Sequence, residues 1–305
     1  MLDLQINGYA GVDFNAEALT EDQLVRACRQ LEADGVTGIL ATIITADLGA
    51  MCRRIRRLAE LREHNPEIAR ILIGIHIEGP FFPETPGYIG AHPPGHARPA
   101  DLETTQRLID AGLGMTRLFT LAPERDTSGA VTQWLSDRGI IVAAGHCNPS
   151  LEQLQRSVDH GLKAFTHLGN GCPLNLHRHD NIIQRALACN EQLTLCFIAD
   201  GAHVPLFALK NYLKCAGLEN CLIVSDDISA AGQGPGTYHI GEQHVTIGDD
   251  LIPWSEDRTH FVGSACPLPV MREYLRALEF TEPELNMLFK DNARRLLGQG
   301  ESNNA

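Results

Sequence analysis

Long apolar runs are missing from this 305-residue sequence. The longest, such as residues 139–144, fall far short of the ~20 residues a membrane-spanning helix needs, so no membrane span is expected. A secretory leader is missing too. Met1 runs straight into the strand-like Leu2-Asp3-Leu4-Gln5-Ile6 with no basic start or long apolar stretch, which points to a cytoplasmic location. The nine cysteines are scattered, odd in number and never spaced CxxC, which argues against a disulfide framework and a zinc knuckle. Basic residues are scarce: the net charge of −13 excludes the basic face that nucleic acid requires, while a few local Arg or His side chains still suffice for a single small phosphate. Internal repeats, heptads, low-complexity stretches and linkers are absent as well. One domain over residues 1–297 with a flexible tail at 298–305 is the expected organisation.

A composition of 44% hydrophobic and 21% charged residues is that of an ordinary globular chain. Its apolar, β-branched runs are short and recur eight times, at 2–6, 38–44, 71–77, 116–121, 140–144, 164–167, 193–199 and 222–225. Amphipathic stretches separate them, which is the pattern of repeated βα units around a parallel sheet. Eight such units predict a (β/α)8 TIM-type barrel, a fold that runs to ~250 residues as one unit. A doubly wound open sheet is the competing arrangement. Residues 20–33 open with a Thr-Glu-Asp-Gln cap signature, and 150–160 follow Asn148-Pro149-Ser150, so both are expected as helices outside the sheet. Residues 228–261 are glycine-rich and read as an irregular loop with a small hairpin, followed by helices at 268–278 and 282–297.

Barrel enzymes assemble their chemistry at the C-terminal ends of the strands. Glu78 closes the third run, His146 follows the fifth, His167 ends the sixth, His203 follows the seventh after Asp200-Gly201, and Asp226 ends the eighth. A lone histidine beside an apolar strand is usually structural, but five ionisable groups on one rim are a pattern. Two histidines and a carboxylate offer a nitrogen and oxygen set suited to a divalent transition metal, with a position left open for water. Asp226 is then placed to carry a proton to a departing nitrogen. His76, two residues before Glu78, should share its face of the strand, either supporting that carboxylate, the preferred reading, or simply filling the barrel. His96, His160, His239, His244 and His260 lack companions at useful spacing.

Several stretches resemble one family. Asp3-Leu4-Gln5-Ile6-Asn7-Gly8, Gly74-Ile75-His76-Ile77-Glu78-Gly79-Pro80-Phe81, Gly90-Ala91-His92, Gly145-His146, Thr166-His167-Leu168, Ala199-Asp200-Gly201, Ser225-Asp226 and Asp291-Asn292-Ala293-Arg294 are similar to motifs of the N-acetylglucosamine-6-phosphate deacetylases of the amidohydrolase superfamily. The resemblance implies a metal at Glu78, His146 and His167, a catalytic Asp226, and His92 and His203 against the sugar and its acetamide. It also implies a phosphate site at Asn170 and Gly171, with Arg178 as the charged contact, reaching a neighbouring subunit in a homodimer. Gln5 and Asn7 stand where many superfamily members carry His-x-His, which implies one metal ion, Zn²⁺ foremost, with Fe²⁺, Co²⁺ or Mn²⁺ as alternatives.

The expected reaction is hydrolysis of the acetamide of an amino sugar phosphate, N-acetylglucosamine 6-phosphate first. Another N-acyl or cyclic amide substrate, or a noncatalytic sugar-phosphate-binding barrel, are the alternatives. The chain departs from the family at Cys147, Cys172 and Asp227, all near the site. The cysteines are expected to act as small hydrophobes and Asp227 to turn toward the barrel wall. The family's small β-sandwich domain is expected to be lacking.

Overall fold

The alternation of β-branched runs with amphipathic segments resolves into eight βα units in the computed structural model, which describes residues 1–240, 243–254 and 261–299. The barrel strands are β1 (Leu2–Ile6), β2 (Gly38–Ile44), β3 (Leu72–Glu78), β4 (Thr116–Leu121), β5 (Ile141–Ala144), β6 (Leu162–Phe165), β7 (Thr194–Phe197) and β8 (Cys221–Ile223). Each lies parallel to the next in sequence order. Closure falls just past β8, where the Asp226 amide donates to the Gln5 carbonyl at 2.9 Å and the Asn7 amide to the Asp227 carbonyl at 2.7 Å. The open doubly wound sheet is thereby excluded, because an open sheet leaves its edges unpaired.

The expected strand positions hold, with no end shifted by more than two residues. The informative shifts are at the C-terminal ends. His167 lies two residues beyond β6 and Asp226 three beyond β8, because the backbone turns left-handed at both.

Helices cover the outside. Thr20 and Gln23 form a reciprocal capping box at the start of α1 (Glu21–Ala33), satisfying amides that would otherwise lack acceptors. Ser150 and Gln153 do the same for α2 (Leu151–Asp159). Leu24, Ala27, Cys28 and Leu31 form the buried stripe of α1, the three- and four-residue spacing that faces one side of a helix. The expected helix over 282–297 is interrupted by a π turn at Met287–Asp291. Just after it, the buried Asn292 amide donates to the carbonyls of Leu218 and Cys221 and fixes the start of β8.

The hairpin expected within 228–261 is larger than anticipated. Strands Gly236–Ile240, Gln243–Ile247 and Pro253–Trp254 pair antiparallel as a three-stranded sheet. Val245 and Ile247 pack with Ile228, Ala230, Val262 and Ala265 in a small apolar cluster of their own. The side chains of His239 and His244, residue His260 and most of the anticipated tail, residues 300–305, lie outside the described residues. No described helix is long and apolar enough to cross a membrane.

Candidate active site

The carboxylate at the end of β3 is the meeting point of the rim. Glu78 Oε1 lies 3.1 Å from His167 Nε2 and 3.5 Å from His146 Nε2, and it accepts from the Gln5 side-chain amide at 3.1 Å. All four side chains are buried. Burial alone would raise the Glu78 carboxyl, but the contacts to His146 and His167 outweigh it and hold the group well below the usual carboxylate range.

Backbone strain aims these groups. His146, His167 and Asp226 have φ of 52°, 30° and 52°, a region that residues with a Cβ rarely adopt and that each occupies at an expense of roughly 1–3 kcal/mol. Each residue lies two or three positions past a barrel strand, so the turn swings its side chain over the barrel end instead of along the wall.

His146 is held on several sides. Its Nδ1 lies 2.9 Å from the Tyr88 carbonyl, which only accepts, so Nδ1 carries a hydrogen and the neutral form of the ring turns an Nε2 lone pair toward Glu78. Phe82 packs on the ring at 4.9 Å between centroids. The backbones of Gly90 and Gly171 press on the ring as well: a Cβ at either would lie 2.9 or 2.8 Å from it. His92 Nε2 stands 3.2 Å from His146 Nε2, and burial, with His146 beside it, pushes the His92 imidazole down to about 3.

Asp226 faces the same space. Its Oδ1 accepts from Asn7 Nδ2 at 2.8 Å and from the Gln5 amide at 3.3 Å, so Gln5 bridges Asp226 and Glu78. Burial, and next the negative charge of Glu78, raise the Asp226 carboxyl. Asp227 turns away and is fully buried, its amide donating to Ser225 Oγ at 3.0 Å. Asp3, also buried, accepts from the amides of Gln5 and Ser225. Burial drives Asp3 up to about 7 and Asp227 well above its ordinary range, the latter also through the charge of Asp3.

The remaining expected residues divide. Asn170 is half-buried and donates to the His167 carbonyl at 3.2 Å. His203 pairs through Nδ1 with Asp200 at 2.6 Å and packs its ring on Phe261 at 4.9 Å. His76 sits inside the barrel between Thr42 at 3.2 Å and Thr120 at 2.8 Å, so its partners are hydroxyls and not the carboxylate above it. Arg178 is exposed and makes no hydrogen bond among the described residues, so one chain by itself does not bring it into the cluster. Cys147 packs in the core and Cys172 contacts the Gly169 carbonyl.

The donor set can hold a metal ion. A bare imidazole nitrogen facing a carboxylate oxygen sets two acceptors against each other, a contact that a cation between them makes favourable. Among the described residues one triad meets this geometry: donor atoms of Glu78, His92 and His146 lie within 4.8 Å of one another, whereas His167, expected as a ligand in place of His92, approaches Glu78 at 3.1 Å without completing such a triad.

Sequence reasoning passed over the Tyr88 carbonyl, Phe82, and Asp200 as partner of His203. A carbonyl leaves no mark on sequence, but the three-residue spacing of Asp200 and His203 could have been read.

A closed parallel barrel with a buried carboxylate and histidines converging on its C-terminal rim is the build of an amidohydrolase. An N-acetylglucosamine-6-phosphate deacetylase from Homo sapiens is 31% identical over 286 residues, covering 90% of this chain and 68% of that protein. One from Bacillus subtilis (strain 168) is 30% identical over 249 residues, covering 81% of this chain and 62% of that protein. The chain thus spans about two thirds of the length of these curated relatives. The crystal structure of the Mycobacterium smegmatis N-acetyl-D-glucosamine-6-phosphate deacetylase superposes with a TM-score of 0.87 at 27% identity, over 97% of this chain and 77% of that one. No protein-family model matches the chain. The chain belongs to the N-acetylglucosamine-6-phosphate deacetylase family.

Proposed function

We propose that the chain hydrolyses the acetamide of an N-acetylated amino sugar phosphate, N-acetylglucosamine 6-phosphate first, releasing acetate and the amino sugar phosphate. The convergence of His146 and His167 on Glu78, with Asp226 tethered beside it, is the observation that carries this reading. Glu78, His146 and His167 would hold one divalent ion, Zn²⁺ foremost. When bound there, such an ion supplies a water activated near neutral pH and polarises the acetyl carbonyl.

The side chains supply the rest. Asp226 Oδ1 is occupied by Asn7 and Gln5, and Oδ2 has no protein partner among the described residues. Oδ2 therefore takes the proton from the attacking water and returns it to the departing nitrogen, a transfer worth ~10²–10⁴ in rate. His92 donates a hydrogen bond to the acetyl oxygen as charge develops on it. His203, oriented by Asp200, faces the sugar, and the Asn170 and Gly171 backbone lies toward the phosphate. Arg178 meets that phosphate across a homodimer. Leu174, fully exposed, and Phe207, 74% exposed, follow β6 and β7 on this side and suit a subunit contact. The cytoplasm is the compartment we assign.

Acetate release by zinc-loaded protein from N-acetylglucosamine 6-phosphate, its C4 epimer and unphosphorylated N-acetylglucosamine tests the reading. Turnover of a phosphate ester alone supports it. No acetate from any of the three, with metal bound, overturns the substrate. The free exposure of Arg178 favours a second reading, an amidohydrolase for an unphosphorylated N-acyl compound, which turnover of N-acetylglucosamine at equal rate would support.

A further inference from the structure

The end of the barrel opposite the rim holds a cavity that the chemistry above does not use. Its volume is about 430 Å³, and it lies among the starts of β3 to β6 and the end of the last helix, Asn292–Leu296. A ligand site of small-molecule size falls at ~300–1,000 Å³.

Register slips build this mouth. β2 pairs with β3 as Ile39 to Leu72 and then Leu40 to Gly74, which leaves Ile73 as an extra residue. β3 pairs with β4 as Ile75 to Thr116 and then His76 to Leu118, leaving Arg117. β5 pairs with β6 as Val142 to Leu162 and then Ala143 to Ala164, leaving Lys163. An extra residue in one strand locally bends it and re-aims its side chain. All three extra residues line the cavity, so the slips deliver two cations to one place.

Gly74 makes room for one of them. A Cβ there would stand 2.5 Å from Arg117 Cγ, so the arginine stem lies across bare backbone. Arg117 and Lys163 are exposed and neither has an ion-pair partner among the described residues. Among the described residues no carboxylate lines the cavity, in a chain whose net charge is −13. Leu40, Ile141 and Leu296 supply an apolar wall.

We propose that this mouth binds a small organic oxyanion, its head between Arg117 and Lys163 and a compact apolar body against Leu40, Ile141 and Leu296. Arg offers a planar fork and Lys a point charge, a pair suited to a phosphate ester or a carboxylate. The site is separate from the rim and stands whether or not the rim hydrolyses an acetamide.

Calorimetric titration of the full chain with phenyl phosphate, benzoate, inorganic phosphate and phenol tests it. Saturable binding of phenyl phosphate or benzoate is expected, the stronger of the two identifying the head group, with weaker inorganic phosphate and no phenol. In the Arg117→Gln/Lys163→Gln variant, affinity should fall at least about tenfold while acetate release is unchanged. Affinity should also fall in about 0.5 M chloride, a readout on the unaltered chain that does not depend on the variant folding. Excess glucosamine 6-phosphate, the product expected at the rim, should not displace the probe. Absence of saturation at roughly 10 mM, where affinity is only a few kcal/mol, overturns the proposal. So does equal binding by the double variant, or displacement by glucosamine 6-phosphate.

Discussion

The two ends of this barrel are built by opposite means. At the C-terminal rim, His146, His167 and Asp226 leave their strands through left-handed backbone, the two histidines buried and Asp226 half-buried. At the N-terminal mouth, Ile73, Arg117 and Lys163 enter through slips of register, and the two cations stay exposed. Strain and burial at the rim hold a few atoms in place, which chemistry needs. The mouth spends no strain and presents charge to solvent, which recognition alone can use. Substitutions at the rim should therefore alter turnover and metal content, and those at the mouth should alter neither.

The largest separation is expected from Asp226→Asn. The amide oxygen still accepts from Asn7 but cannot take up and return a proton, so acetate release should fall by ~10²–10⁴ with metal content unchanged. Retained turnover would remove Asp226 from the proton transfer and dissolve the contrast between the ends. Next comes the choice between triads. His167→Asn should lower metal affinity by more than about 100-fold, exceeding what loss of a supporting partner does, whereas His92→Asn should keep the metal and lose turnover. Elemental analysis decides: metal loss in the His92 variant alone would make the ligands Glu78, His92 and His146.

Much of the rim was legible because chemistry at a barrel end needs ionisable residues at strand termini, and the apolar runs located those termini to within three residues. Glu78, His146, His167 and Asp226 could be paired with their strands from the sequence. How each side chain is aimed was not legible, since a left-handed φ at a histidine or aspartate has no sequence signature as a glycine turn does. The partners of His76 were not legible for a related reason. Period-two alternation puts it on the face of Glu78, but its partners Thr42 and Thr120 come from neighbouring strands whose register no single sequence reveals. The mouth was invisible for the same cause, because Arg117 and Lys163 read as ordinary charges until the slips of register set them side by side.

The polar layer behind the rim gives a pH test. Asp3 is free to titrate near 3.8 when exposed, but burial raises it to about 7 in the fold, with Ser225 bonded to it and the charge of Asp226 near it. Between those values the folded chain holds a proton that the unfolded chain has released. The contribution of Asp3 to stability should therefore be fully present below pH ~4 and be lost, on the order of a few kcal/mol, as pH rises through ~7. Denaturant midpoints across this range should flatten in Asp3→Asn. An undiminished slope would assign the effect to Asp227, buried close by.

The finest comparison sets one glycine at each end against the other. Gly171 at the rim and Gly139 at the mouth both have left-handed backbone, φ 61° and 72°. Alanine at either should carry a similar backbone penalty of ~1–2 kcal/mol, which a Cβ meets in that conformation. They differ in what the Cβ would touch: nothing within 4 Å at Gly139, and His146 Nδ1 at 2.8 Å at Gly171. Gly171→Ala must therefore move the ring or the loop, and since the Tyr88 carbonyl holds that nitrogen, the shift reaches the donor facing Glu78. Paired measurements of unfolding midpoint and acetate release should show the shared backbone penalty alone in Gly139→Ala, and a larger loss of stability together with lowered turnover in Gly171→Ala. Equal turnover in both would mean that the His146 ring tolerates displacement, and that strain at the rim is not what aims it.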